Sequence, residues 1–230
     1  GVYNMIFELV EEIICNSNKA DIFIEINFTD NDELLFMYDS HGYVEDSFSI
    51  KVIRALSEVF ELSYKTTKHI YRKGVFASEK IIDSREDSIN LLFKPDKDLF
   101  LYENIDYIAI FNRLRELAQL HENVRILLKN KENTNTIKYH HGLDAMLSEN
   151  MYMCSPGSSQ HVPLNINVTE NDIEVAISMM YGFASDAKLS YVNNIKTNDG
   201  GTHVQGLYEG IYDAFTDYIN NHADKNTIIM

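Results

Sequence analysis

YVNNIKTNDGGTHVQGL, residues 191–207, is the stretch that decides how the chain is read. The protein has only 10 glycines, and two of them stand together here. Leu189, Tyr191, Asn193 and Ile195 fall on one face of an expected strand over 188–195. Asn198–Asp199–Gly200–Gly201 then supplies a turn that tolerates positive φ. Thr202 is expected to cap a helix over 202–221, with Gln205 three residues on completing a capping box. Val204, Leu207, Ile211 and Phe215 form its expected buried stripe. The glycine pair therefore reads as a strand-to-helix hinge and not as a phosphate loop.

Working outward, 230 residues with 45% hydrophobic and 24% charged content are enough for a real core in one or two domains. No apolar run approaches the roughly 20 residues of a membrane span. The opening GVYNMIFELVEEII mixes acids into its apolar run, unlike a signal peptide. Two cysteines, Cys15 and Cys154, suggest no disulfide framework and point to a reducing, cytoplasmic setting. A formal charge of −15 argues against this segment gripping nucleic acid through broad counterion release.

Upstream, Ile6, Leu9, Val10, Ile13 and Ile14 repeat at helical spacing over 2–16. Strands are expected at 21–28 and 33–38, a helix at 50–60, and strands at 61–66, 69–77 and 87–93. A helix follows over 104–121, then strands at 123–129 and 134–139 and a short helix at 142–148. SENMYMCSPGSSQHVP (148–163) holds two of the three prolines and marks a boundary. Beyond it, strands are expected at 173–181 and 188–195. The class is α+β, divided into 1–148 and 149–230.

RLRELAQLHENVRILLKN (113–130), KYHHGLDAML (138–147) and YVNNIKTNDGGTHVQGL (191–207) resemble the amino-terminal half of bacterial type IIA DNA topoisomerase B subunits. These are DNA gyrase B and its topoisomerase IV counterpart. The likeness runs in order along nearly the whole chain. It matches GVYNMIFELVEEI to that family's first ATPase helix and RALSEVFEL (54–62) to the helix after its nucleotide lid. It implies a GHKL-type α/β sandwich followed by a transducer domain of the ribosomal S5-like fold. It also implies ATP with Mg²⁺, closure of a homodimer, DNA and a topoisomerase A-type subunit as partners, and a cytoplasmic location.

In this family the first helix carries E-x-x-D-N-x-x-D. Here those positions hold Glu8, Glu11, Glu12 and Cys15. The resemblance makes Glu8 the general base that activates water. It makes Glu12, in the place of a metal-holding Asn, the ligand for Mg²⁺ and part of the nucleotide site. Asp39 would read the adenine amino group within D-x-G-x-G, of which Gly42 remains, one place out of step. The supporting Thr would fall at Ile89, and a later Arg at Thr66. EDSFSIKVI (45–53) joins the two halves where the family has a glycine-rich lid, so the backbone cradle for phosphates is missing. Ser47 and Ser49 are candidates to cap the next helix. Read from residues alone, Glu8, Glu11 and Glu12 are a solvated helix face rather than a site, and Asp39 a turn former. His140–His141 lack the spacing of a zinc site. Two functions follow from the likeness. The chain is an ATPase–transducer region coupling ATP binding and dimer closure to strand passage, with a degenerate site. Alternatively it is a non-catalytic paralogue serving dimerisation or partner binding.

Overall fold

The computed structural model describes residues 1–17, 20–29, 32–39, 47–83, 88–100, 106–154, 162–180 and 188–222, with side chains of 150–154 excepted. They fall into two compact units, Gly1–Phe183 and Ala184–Met230.

The first unit is built on an eight-stranded sheet ordered β5-β4-β3-β6-β2-β1-β7-β8. Its strands are β1 (Ile22–Phe28), β2 (Leu34–Asp39), β3 (Ser57–Tyr64), β4 (Thr67–Arg72), β5 (Val75–Ile81), β6 (Ser88–Pro95), β7 (Val124–Lys129) and β8 (Thr134–Lys138). Every described ladder in it is antiparallel except β1–β7, which runs parallel from Ile22↔Val124 to Asn27↔Lys129. Strand alternation sends Ile22, Ile24 and Ile26, Leu34, Phe36 and Tyr38, Ile89, Leu91 and Phe93 into one core. α1 (Val2–Asn16), α2 (Phe48–Ala55) and α3 (Tyr107–Leu120) close that core with Ile6, Leu9, Val10, Ile13, Ile50, Ile53, Leu114 and Leu117. On the opposite face sit ion pairs such as Lys129–Glu25 at 2.8 Å and Lys68–Glu61.

α4 (Gly142–Cys154) packs on α3, and its first residue has no room for a side chain. A Cβ on Gly142 would lie 1.9 Å from the carbonyl oxygen of Gln119. α4 also carries a hairpin of β9 (Leu164–Glu170) and β10 (Ile173–Met179). Asn165 Nδ2 donates to Asp144 Oδ2 at 3.1 Å, and Ser178 Oγ donates to Asp144 Oδ1 at 2.7 Å.

The second unit holds β11 (Tyr191–Val192), β12 (Ile195–Lys196) and α5 (Thr202–His222). The glycine pair is a hinge as expected, with Gly200 at φ 74° and Gly201 at φ 153°. Gly201's carbonyl accepts the first helical N–H bonds, from Val204 and Gln205.

Several expectations are corrected. The strand over 188–195 is a two-stranded hairpin that reverses at Asn193 (φ 47°) and Asn194 (φ 68°), because paired asparagines tolerate the left-handed region. Gln205 reaches forward to Glu209 at 2.8 Å rather than back to Thr202. Of the α5 stripe Val204 is buried, whereas Phe215 is 65% exposed. The helix over 50–60 stops at Ala55, and 57–64 is a strand. Ser57 Oγ bonds the Ile53 carbonyl at 2.6 Å, and Phe60 and Leu62 face the core as β3 pairs with β6. The strand over 69–77 is broken by a turn at Lys73 (φ 45°) and Gly74 (φ 77°). β9 is not expected from the sequence because its neighbourhood reads as a polar linker.

Candidate functional site

α1 brings the acids of its motif to one side of the helix, but the structure gives each a different environment. Glu8 is exposed. Glu11 is half-buried and committed to α3: Arg113 Nη2 donates to its Oε1 at 3.1 Å, while Arg113 Nη1 donates to Glu116 Oε2 at 3.1 Å. Glu12 is half-buried, and its Oε1 is fully enclosed with no hydrogen-bond partner among the described residues. Cys15 is exposed; partial burial of its sulfur, and then the carboxylates of Glu11 and Glu12, push its pKa up. A thiol held protonated is a poor nucleophile and a poor metal ligand.

β2 supplies the opposing wall. Tyr38 is 4% exposed and points to the helices with Leu34 and Phe36. Burial pushes its hydroxyl pKa up, and the charge of Glu12 adds to the effect. Asp39, one residue on, is exposed. The ladder pairs Tyr38 with Ile89 and Asp39 with Ser88. Gly42 lies outside the described residues, as do Ser40 and His41. At the far side, Ser47 Oγ accepts from Ile50 N at 3.1 Å and caps α2.

Sequence reasoning misses Tyr38 and Arg113. Tyr38 is legible in principle: in LLFMYD, the residues that share Leu34's face are Phe36 and Tyr38. Nothing in RLRELAQL singles out Arg113 as the partner of an acid about a hundred residues earlier.

These residues do not fit a magnesium–triphosphate complex. Mg²⁺ is held either by a cage of side-chain oxygens or, with a nucleotide, by one or two of them beside phosphates and water. Among the described residues, no three His, Cys, Asp or Glu side chains converge to hold a metal ion. Glu11 is occupied by a guanidinium, and Glu12's inner oxygen is enclosed. His140 and His141 belong to no such group either.

Comparison with known proteins sets this site in context. A family model described as DNA gyrase B matches residues 120–229, from the end of α3 through α5. The DNA gyrase B protein of Clostridium acetobutylicum is 33% identical over 183 residues, which is 76% of this chain and 28% of the relative. That of Campylobacter jejuni is 28% identical, covering 76% of this chain and 23% of the relative. The chain thus spans less than a third of these curated relatives. Among solved structures, the 43K ATPase domain of Thermus thermophilus gyrase B superposes with a TM-score of 0.81 at 18% identity, covering 100% of this chain and 71% of that one. The topoisomerase IV ATP-binding domain of Francisella tularensis gives 0.74 at 23% identity, with 99% and 72% covered. The fold is that of the GHKL-type gyrase B ATPase domains.

Proposed function

Because this chain is a region of the type IIA topoisomerase B-subunit family, we propose that it forms the amino-terminal ATPase-type and transducer region of a topoisomerase B-like subunit whose nucleotide site is degenerate. Residues 1–148 are the ATPase-like part and 149–230 the transducer part. The assembly it serves is cytoplasmic, closes as a homodimer through the ATPase-like part, and engages DNA together with an A-type subunit. ATP with Mg²⁺ is the ligand the scaffold descends from; in this chain its binding is weak or lost.

The observation that carries this reading is Glu12. It stands where the resemblance places a metal-holding carboxamide, and its inner oxygen is enclosed and has no partner among the described residues. Glu11 beside it is spent on Arg113. The charge that Glu12 adds in place of a neutral carboxamide would also repel a triphosphate.

A thermal shift experiment tests it, using the chain with Mg²⁺ and a non-hydrolysable ATP analogue. A ligand present at a hundred times its Kd adds about 2.7 kcal/mol, or roughly 5–10 °C for a chain of this size. The expected shift is below about 1 °C on the same scale. Saturable micromolar binding by calorimetry would overturn the reading. Were turnover then found, Glu8→Ala should abolish it and leave affinity unchanged, since Glu8 is the proposed base.

A further inference from the structure

The sequence offers Asp39 as the group that reads a purine amino proton, but the sheet register points to its neighbour. Ile89 stands at the position of the residue that supports such a reader. Its partner across the ladder is Tyr38, while Asp39 pairs with Ser88. Directly opposed residues share a face of the sheet. Ile89 is fully buried and Tyr38 nearly so, in the core that α1 shares; Asp39 is exposed. Moving the alignment one place, so that position 38 leads D-x-G-x-G, also brings Gly42 into step as the second glycine.

We propose that Tyr38 is the specificity-determining residue of this site: its ring fills the space where a purine-reading carboxylate would sit, so the site rejects adenine nucleotides, and Asp39 takes no part. The inference rests on the degenerate-site reading above and names the residue responsible for base rejection. A phenol in that place cannot act as a carboxylate does. A carboxylate offers only acceptors to an amino group, whereas a neutral phenol brings its own proton and a ring's volume. Burial, and then the charge of Glu12, keep it neutral.

Three measurements test this. In a background with Cys15 and Cys154 replaced by Ser, Tyr38→Cys and Asp39→Cys are labelled with a thiol reagent. Cysteine at 39 should react freely, and cysteine at 38 on the order of a hundredfold slower, as local opening must precede attack. Equal or reversed rates overturn the placement of Tyr38 and leave the degenerate-site reading intact. Ultraviolet titration of wild type against Tyr38→Phe gives the same answer without cysteines. A buried Tyr38 contributes no phenolate in the range where exposed tyrosines ionise. Then a fluorescent ADP is titrated into wild type, Asp39→Asn and the double variant Tyr38→Asp/Glu12→Asn. Wild type and Asp39→Asn should behave alike without saturation, and the double variant should gain at least about tenfold in affinity. Wild-type binding that Asp39→Asn abolishes overturns this inference and the degenerate-site reading together. A folded double variant with no gain overturns Tyr38 as the determinant.

Discussion

Asp144 on α4 accepts a hydrogen bond on one carboxylate oxygen from Ser178 at 2.7 Å, and on the other from Asn165. Ser178 and Asn165 are partners across the β9–β10 ladder. One side chain therefore holds both strands of a two-stranded ribbon, a structure that is marginal by itself. Asp144→Ala should loosen the ribbon by about 1–3 kcal/mol, since both hydrogen bonds go to a charged acceptor. Hydrogen exchange at β9 and β10 should speed up while β1, β2 and β6 stay protected. Unchanged exchange in the ribbon would show that α4 does not hold it through this residue.

Gly142→Ala should be far more damaging than its size suggests. The added carbon meets a backbone carbonyl at 1.9 Å, so α4 must leave α3. A cost of about 3 kcal/mol is expected, lowering the melting temperature of the first unit by roughly 6–12 °C. A loss under about 1 kcal/mol would mean the helices separate easily.

The Glu11–Arg113 pair is partly exposed on both sides, at 25% and 23% of the side chain. Its coupling in a double-mutant cycle of Glu11→Gln and Arg113→Met should be about 0.2–1 kcal/mol and should shrink in high salt. A coupling near zero at low salt would remove Arg113 as the group that occupies Glu11.

Tyr38 makes stability sensitive to alkali. Its hydroxyl is raised above the ordinary 10.0 by burial and by Glu12. The unfolded chain therefore releases this proton first. The contribution is complete below pH 10.0 and is lost as pH rises beyond it. Urea midpoints measured at about pH 8 and above pH 10 should fall more steeply for wild type than for Tyr38→Phe. Parallel slopes would refute a buried phenol.

Glu12→Met should stabilise the first unit by about 1 kcal/mol, because it removes an enclosed oxygen that has no partner among the described residues. The Tyr38 phenol should then ionise at lower pH. Calorimetry and ultraviolet titration read the two effects separately. A destabilised variant with an unmoved phenol would show that Glu12 does not face Tyr38.

Much of this architecture is legible in the sequence where one period dominates. The stripe of Ile6, Leu9, Val10 and Ile13 is buried as spacing requires, and DIFIEINF alternates as β1 does. Legibility fails where two periods fit the same letters. In IKVIRALSEVF, Ile53, Leu56 and Phe60 satisfy a helix, yet Phe60 and Leu62 also satisfy a strand. Pairing with β6, contributed by residues some thirty positions later, decides between them. α5 fails differently: several of its apolar residues, such as Tyr212 and Phe215, stay exposed, and periodicity names a face without naming what covers it. At the site, motif spacing locates α1 and β2. It does not say which neighbour of the pair Tyr38–Asp39 turns inward, because a motif marks the carboxylate while strand alternation marks the phenol.

The parallel pairing of β1 with β7 also sets an order of events during synthesis. β1 ends at Phe28, but the strand that completes its far side ends at Lys129. At roughly 5–20 residues per second, the ribosome exposes one edge of β1 for several seconds before its partner emerges. The antiparallel β1–β2 hairpin can form early from neighbouring residues, while closure against β7 waits on a long loop and is entropically late. The apolar core that α1 helps to bury is thus opened first and sealed last, which makes a chain halted before residue 129 a natural client for chaperones.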